Sequence, residues 1–423
     1  MSHFAVIAPP FYSHFRAMQA LALQLVARGH RITFVQQPDA AILLNDRQCG
    51  FCSTAADRYP PGSLHKLIQL AGHASGIGLF RLIHALSSLT ENLCRALPTT
   101  LNQLAVDGVI ADQMEPAGGL VSEALGLPFV SVACALPVNR ENGIPLPVMP
   151  WMYGQAPSEI QRCHASENTY DWLMSRHAEV IQRYAHYFGL PARRYAHECL
   201  SELAQISQLP LALDFPRKQL PPCFHAVGPL RTVTEASAPL PIAERSPRVF
   251  ASLGTLQGHR LPLFKTFMRA CQQRKIPLTI AHCGGLTPRQ CAELSGFPDV
   301  EVTDFAQQER ALQSASVVIS HGGLNTMIDA VQQQTPLLIV PLAFDQPGVA
   351  ARVTWHGIGH RLSRFTKADA LGERLEQLIG DEAIHHNLAR LRPALLAGGG
   401  AARAAAIAEQ ALLSRHRITA EVG

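Results

Sequence analysis

Residues Val317 to Gln346, VVISHGGLNTMIDAVQQQTPLLIVPLAFDQ, gather side chains suited to a phosphate and a polyol. Val317, Val318 and Ile319 form a short apolar β-branched run, the pattern of a buried parallel strand. Gly322 and Gly323 follow, and without Cβ atoms they let backbone amides approach a ligand closely. Asn325 and Thr326 stand where a helix begins, so free amides and the positive dipole end face that space. A helix start after a glycine turn is a phosphate site, and His321 is a side-chain donor at its mouth. Leu337 to Val340 reads as the next strand, with Asp345 and Gln346 just past its end. Ligands of open α/β sheets bind at that edge. With Asp329, these residues suit a diphosphate joined to a polyol, as in a nucleotide sugar. The plain alternative is a βαβ unit with an ordinary glycine turn.

The stretch resembles the donor-binding signature of the UDP-dependent family 1 glycosyltransferases. The matching residues are Phe305, Gln308, His321, Gly323, Asn325, Thr326, Asp329, Asp345 and Gln346. The resemblance implies uracil stacking on Phe305, and ribose contacts at Gln308 and Asp329. It implies diphosphate contacts from His321 to Thr326, and sugar contacts at Asp345 and Gln346. Gly254 and Thr255 match the small-residue phosphate contact of the family. The chain departs from the plant pattern at Phe305 and Leu324, each in place of Trp, and at Gln307 in place of Pro.

Two further residues gain meaning from the resemblance. His14 follows the first apolar run, Phe4 to Ala8, and the related enzymes carry their catalytic histidine in that loop. Asp112 closes the run Asp107 to Ala111 and matches the acid that orients the histidine. Read singly, they are a solvent-facing histidine at a helix start and a solvated strand-end carboxylate. Read as the family pair, His14 takes a proton from an acceptor hydroxyl and Asp112 holds its ring. A helix N-terminus beside His14 is expected to keep it neutral before reaction. Direct attack opposite the leaving group inverts the anomeric centre. No D-x-D occurs, so neither a metal nor another cofactor is expected.

Around these residues the pattern is α/β. Phe4–Ala8 and Ile32–Val35 read as strands around a helix from Arg16 to Arg28, with Pro9 to His14 a loop. That loop lacks G-x-G-x-x-G, which argues against a dinucleotide oxidoreductase. Leu64 to Leu104 reads as helical, and its apolar spacing is that of core packing or of an apolar wall for a greasy acceptor. Residues 137 to 163, rich in Pro and Gly, read as a loop over the site, with Trp151, Met152 and Tyr153 as acceptor contacts. Composition places a linker at 231–247, and the resemblance implies an acceptor-binding domain at 1–230 and a nucleotide-sugar domain at 248–400. The alanine-rich helix within 401–423 is expected to cross back to the first domain, as in the family. The implied architecture is the GT-B fold, two doubly wound Rossmann-like domains facing across a cleft.

Composition bounds the rest. The 423 residues are 47% hydrophobic, enough for two full cores. A net charge of +4 with no basic run gives no case for nucleic acid. The N-terminus opens directly on a strand-like run rather than a signal peptide, and no apolar run reaches a spanning length. A cytoplasmic monomer is expected, touching the inner membrane surface at most peripherally. Its ten cysteines are expected to be free thiols, Cys49 and Cys52 included. The residues alone ask only for an apolar acceptor bearing a hydroxyl. The chain further resembles the bacterial branch of the family that glucosylates carotenoid alcohols. That implies UDP-glucose as donor and a polyene diol taken at one ring hydroxyl and then the other. A transferase acting on a macrolide, sterol or flavonoid, and a silent nucleotide-sugar binder, are the alternatives.

Overall fold

A computed structural model describes residues 1–231, 239–240, 245 and 247–420. The expected linker, 231–247, lies mostly outside the described residues. The first sheet holds β1 (His3–Ile7), β2 (Arg31–Gln36), β3 (Gly50–Ser53), β4 (Gly108–Asp112), β5 (Phe129–Ala133), β6 (Gln205–Ser207) and β7 (Phe224–Ala226). Their order is β3-β2-β1-β4-β5-β6-β7. The second holds β8 (Val249–Ser252), β9 (Leu278–Ala281), β10 (Val300–Thr303), β11 (Val317–Ser320), β12 (Leu337–Ile339) and β13 (Gly359–Arg361), in the order β10-β9-β8-β11-β12-β13. Every recorded pairing is parallel. β1, β4 and β5 are buried along their whole length, because helices cover both faces.

Each sheet reverses its strand order at one place, between β1 and β4 and between β8 and β11. The segments leaving these four strands carry His14, Asp112, Gly254 and His321. The doubly wound topology therefore brings together groups 98 residues apart in the first domain.

The helix Gly400–Ser414 buries Ala404, Ala405, Ala408, Ala411 and Leu412 in the core of the first domain, against the helix Tyr12–Ala27. The small alanine face permits close approach of the two helices. Glu409 reaches Arg28 and His30, each at 2.8 Å. The expected return to the first domain is thus present.

Two expected elements differ. The helix expected from Arg16 begins at Tyr12, so His14 lies in its first turn. Phe11 is the N-cap and supplies no side-chain bond, which left the start without a capping signal. The expected helical span 64–104 divides into Ser63–Gly72 and Ile77–Leu104, broken where Gly76 takes φ +53. All ten cysteines are free, Cys49 and Cys52 included. No described helix is long and apolar enough to cross a membrane.

Candidate active site

A cavity of about 1360 Å³ lies between the two sheets and is lined from both domains. His14 lines it, and Asp112 stands behind the ring, outside the lining. His14 Nδ1 lies 2.7 Å from Asp112 Oδ2, and the carboxylate is fully buried. The second oxygen, Oδ1, accepts from the Met114 amide at 2.9 Å. The Cys134 thiol, just past β5, also bonds Asp112. Three neighbours therefore fix the carboxylate, and it fixes the ring. The ligand atoms of His14, Asp112 and Cys134 lie within 4.8 Å of one another. Cys134 carried no sequence signal of its own, beyond standing at the end of the strand next to β4.

Burial alone would lower the His14 pKa, but the Asp112 charge and hydrogen bond, with Asp345 adding, raise it above 6.5. The expected effect of the helix terminus is thus overruled: the carboxylates draw the ring toward its charged form. An imidazole so placed is a better proton acceptor. Asp345 approaches from the other domain, where its Oδ2 accepts from the Leu136 amide at 3.3 Å.

The residues matched to the donor signature converge on the cavity. His321 opens the turn after β11, and burial lowers its pKa to about 4, so it is neutral. Its ring is sandwiched between two glycines. A Cβ on Gly254 would stand 2.7 Å from His321 Cε1, and one on Gly323 would stand 2.9 Å from Nε2. Gly254 also has φ +69. Only glycine satisfies both demands there. Gly323 is the N-cap of the helix Leu324–Gln332, which opens its first amides to the cavity. Thr255, Asn325 and Thr326 line the same space.

Gln308 Nε2 lies 2.6 Å from Asp329 Oδ2, and Thr326 Oγ1 donates to Gln308 Oε1 at 3.4 Å. Phe305 lines the cavity and is 63% exposed. Gln346 lines the cavity but spends its Oε1 on the amides of Leu342 and Ala343, each at 2.8 Å. Its carbonyl shapes the loop, which leaves the amide nitrogen for other partners.

The acceptor side is corrected. Trp151, Met152 and Tyr153 do not line the cavity. Tyr153 packs on Phe215 and Trp355 at the seam between the domains, and Trp151 lies under Arg162. Apolar pattern alone did not say which buried surface they would join. The wall comes instead from Leu79, Leu82, Ile83 and Leu86, facing Leu173, Met174, Ala178 and Ile181. Further along the helix, Leu89, Leu93 and Leu97 are core. One helix thus lines the cavity and packs in the core. Thr90 belongs to the same helical stripe, and sequence reading missed its buried polar neighbours His177 and Glu115, with His177 Nε2 3.1 Å from Thr90 Oγ1.

A histidine held by a carboxylate, a helix start after a glycine turn and an apolar wall share one cleft. The chain is 53% identical to the zeaxanthin glucosyltransferase of Pantoea ananas, over 97% of its own length and 96% of the relative's. It is 50% identical to the zeaxanthin glucosyltransferase of Pseudescherichia vulneris, over 99% and 100%. It belongs to the family 1 glycosyltransferases. Residues 269–383 match the glycosyltransferase family 28 C-terminal domain. The glycotransferase of kitacinnamycin shares the GT-B fold at TM-score 0.75, covering 97% of this chain and 99% of its own at 20% identity. This glycosyltransferase therefore has the two-domain architecture that the residues implied.

Proposed function

We propose that this glycosyltransferase moves glucose from UDP-glucose to a ring hydroxyl of zeaxanthin, and then to the other, with inversion and without a metal. The observation that carries the reading is the His14–Asp112 pair at 2.7 Å, standing between the phosphate helix and the apolar wall. His14 receives the hydroxyl proton as the oxygen attacks the anomeric carbon. Asp112 stabilises the imidazolium that results. The bond to UDP breaks on the opposite face, and the amides after Gly323 receive the growing charge on the diphosphate. Asp345 and Gln346 stand at the same cleft to hold the sugar.

A polyene diol resides in lipid, so its transferase meets it at a bilayer. Ile77 and Phe80 are exposed beside the wall residue Leu79, and Trp172 beside Leu173. Arg81 and His84 share the outer face of that helix. An apolar stripe edged by bases suits an interface with anionic lipid.

The test is incubation with a panel of UDP-sugars and zeaxanthin in liposomes, with mass spectrometry of the products and chelator present. Mono- and diglucosides from UDP-glucose are expected, undiminished by EDTA. Products from small water-soluble alcohols and none from zeaxanthin would redirect the reading to a macrolide or flavonoid acceptor. Restoration by a divalent ion of activity lost to EDTA would overturn the metal-free step.

A further inference from the structure

Departure of a nucleoside diphosphate leaves extra negative charge at the phosphate site. His321 is neutral there and supplies a hydrogen bond but no charge. Among the described residues, Arg16, Arg140, Arg194, Arg231 and Arg310 are the arginines that line the cavity. Arg140 is committed to Asp171. Arg231 alone of the five is bonded to the phosphate loop and its helix, with Nη2 donating to the Asn325 carbonyl at 3.3 Å.

Arg231 also pairs with Asp329, Nη2 to Oδ1 at 3.0 Å and Nε at 3.2 Å. Its Nη1 donates to Gln208 Oε1 at 3.3 Å and to the Leu230 carbonyl at 3.1 Å. The guanidinium therefore bridges the two domains at the floor of the donor site. Asp329 is the carboxylate matched to the ribose hydroxyls, yet here its oxygens are engaged by Gln308 and Arg231. A ribose that takes Asp329 competes directly with this ion pair. The fork that is freed lies beside the first turn of the phosphate helix.

We infer that Arg231 is a further donor-site residue, which yields Asp329 to the ribose and turns its guanidinium to the diphosphate of the donor. It then neutralises the leaving group as the glycosidic bond to phosphate breaks. A planar fork suits this exchange, since it matches carboxylate and phosphate alike. The inference rests on the proposed nucleotide-sugar donor.

The plain alternative is a clamp that only neutralises Asp329 and ties the domains together. The two are separated by measuring UDP binding calorimetrically in the full-length wild type, Arg231→Ala, Asp329→Asn and the double variant. Thermal unfolding without UDP and kinetics in both substrates accompany the binding data. Loss of a charged hydrogen bond predicts UDP binding weaker by ~10–100-fold in Arg231→Ala. It also predicts a fall in kcat with the acceptor KM unchanged. Arg231→Lys should recover part of both, and the Ala change should still weaken UDP in the Asp329→Asn background. Unchanged UDP affinity in Arg231→Ala, or its full restoration by Asp329→Asn, overturns the inference alone. A wild type that binds no UDP overturns the donor reading and this inference together.

Discussion

His14 is legible at the level of single residues because its environment has a sign. Asp112 and Asp345 raise its pKa above 6.5 against the effect of burial. A base must be neutral to act, so kcat/KM should rise with pH through a value above 6.5. Asp112→Asn removes the largest raising influence, which should move this limb to lower pH while turnover falls. His14→Ala should lower turnover by ~10²–10⁴-fold with UDP affinity near normal, because the base acts in the transition state. Pre-steady-state kinetics with UDP titration checks both; a loss confined to donor affinity would move His14 out of the acceptor chemistry. On the donor side, His321→Ala should weaken UDP by about 1.5–3 kcal/mol, as for a hydrogen bond to a charged group. Gly254→Ala should weaken it similarly, since the new Cβ would lie 2.7 Å from the ring. Normal UDP binding by Gly254→Ala would show that the ring has room to move.

The helix Ile77–Leu104 changes its neighbours along its length. Its start exposes Ile77 and Phe80, its next turns line the cavity, and its later turns are core. Replacing Ile77 and Phe80 by Ser should reduce sedimentation with anionic liposomes and slow glucosylation of liposomal zeaxanthin. Each buried apolar side chain contributes on the order of 1–3 kcal/mol. UDP affinity and thermal stability should stay as in wild type, because both side chains are already in water. Equal sedimentation of the variant and the wild type would exclude this stripe as the lipid-facing surface.

At the scale of the whole molecule the cleft depends on how the two halves are joined. Arg352, fully buried in the helix Gln346–Trp355, donates from Nε to Asp214 at 2.7 Å and lies 4.3 Å from the centre of the Phe215 ring. The Gly348 amide donates to the Pro147 carbonyl at 3.1 Å. These contacts set Asp345, which precedes the same helix, against His14. Burial works to raise the Asp214 pKa, but Arg352 and Arg217 outweigh it and hold the pKa below 3.8. Asp214 therefore contributes stability that is present above the unfolded carboxylate value and lost as pH falls through the folded one. Arg352→Met strips a buried carboxylate of its main partner and should cost about 3–5 kcal/mol. Urea unfolding across the acid range would show it as lower stability at neutral pH with a flatter acid limb. A change under 1 kcal/mol would mean that Arg217 alone suffices.

Local composition decided much of the design. Short β-branched runs followed by glycine or polar residues read as buried parallel strands with groups at their ends. That placed His14, Asp112, Gly254, His321 and Asp345 at sheet edges, and the αβ alternation placed those edges in two domains. The His-Gly-Gly turn marked the candidate phosphate site, because its backbone requirement is local. What lay beyond reach was every pairing between distant segments. Cys134 on Asp112, Arg231 on Asp329 and Leu136 on Asp345 are set by strand order and by the docking of two domains. Trp151 and Tyr153 were assigned to the acceptor because they are aromatic and lie in an irregular stretch. An aromatic ring is equally suited to a seam as to a substrate, and only the packing of Phe215 and Trp355 against Tyr153 determined which.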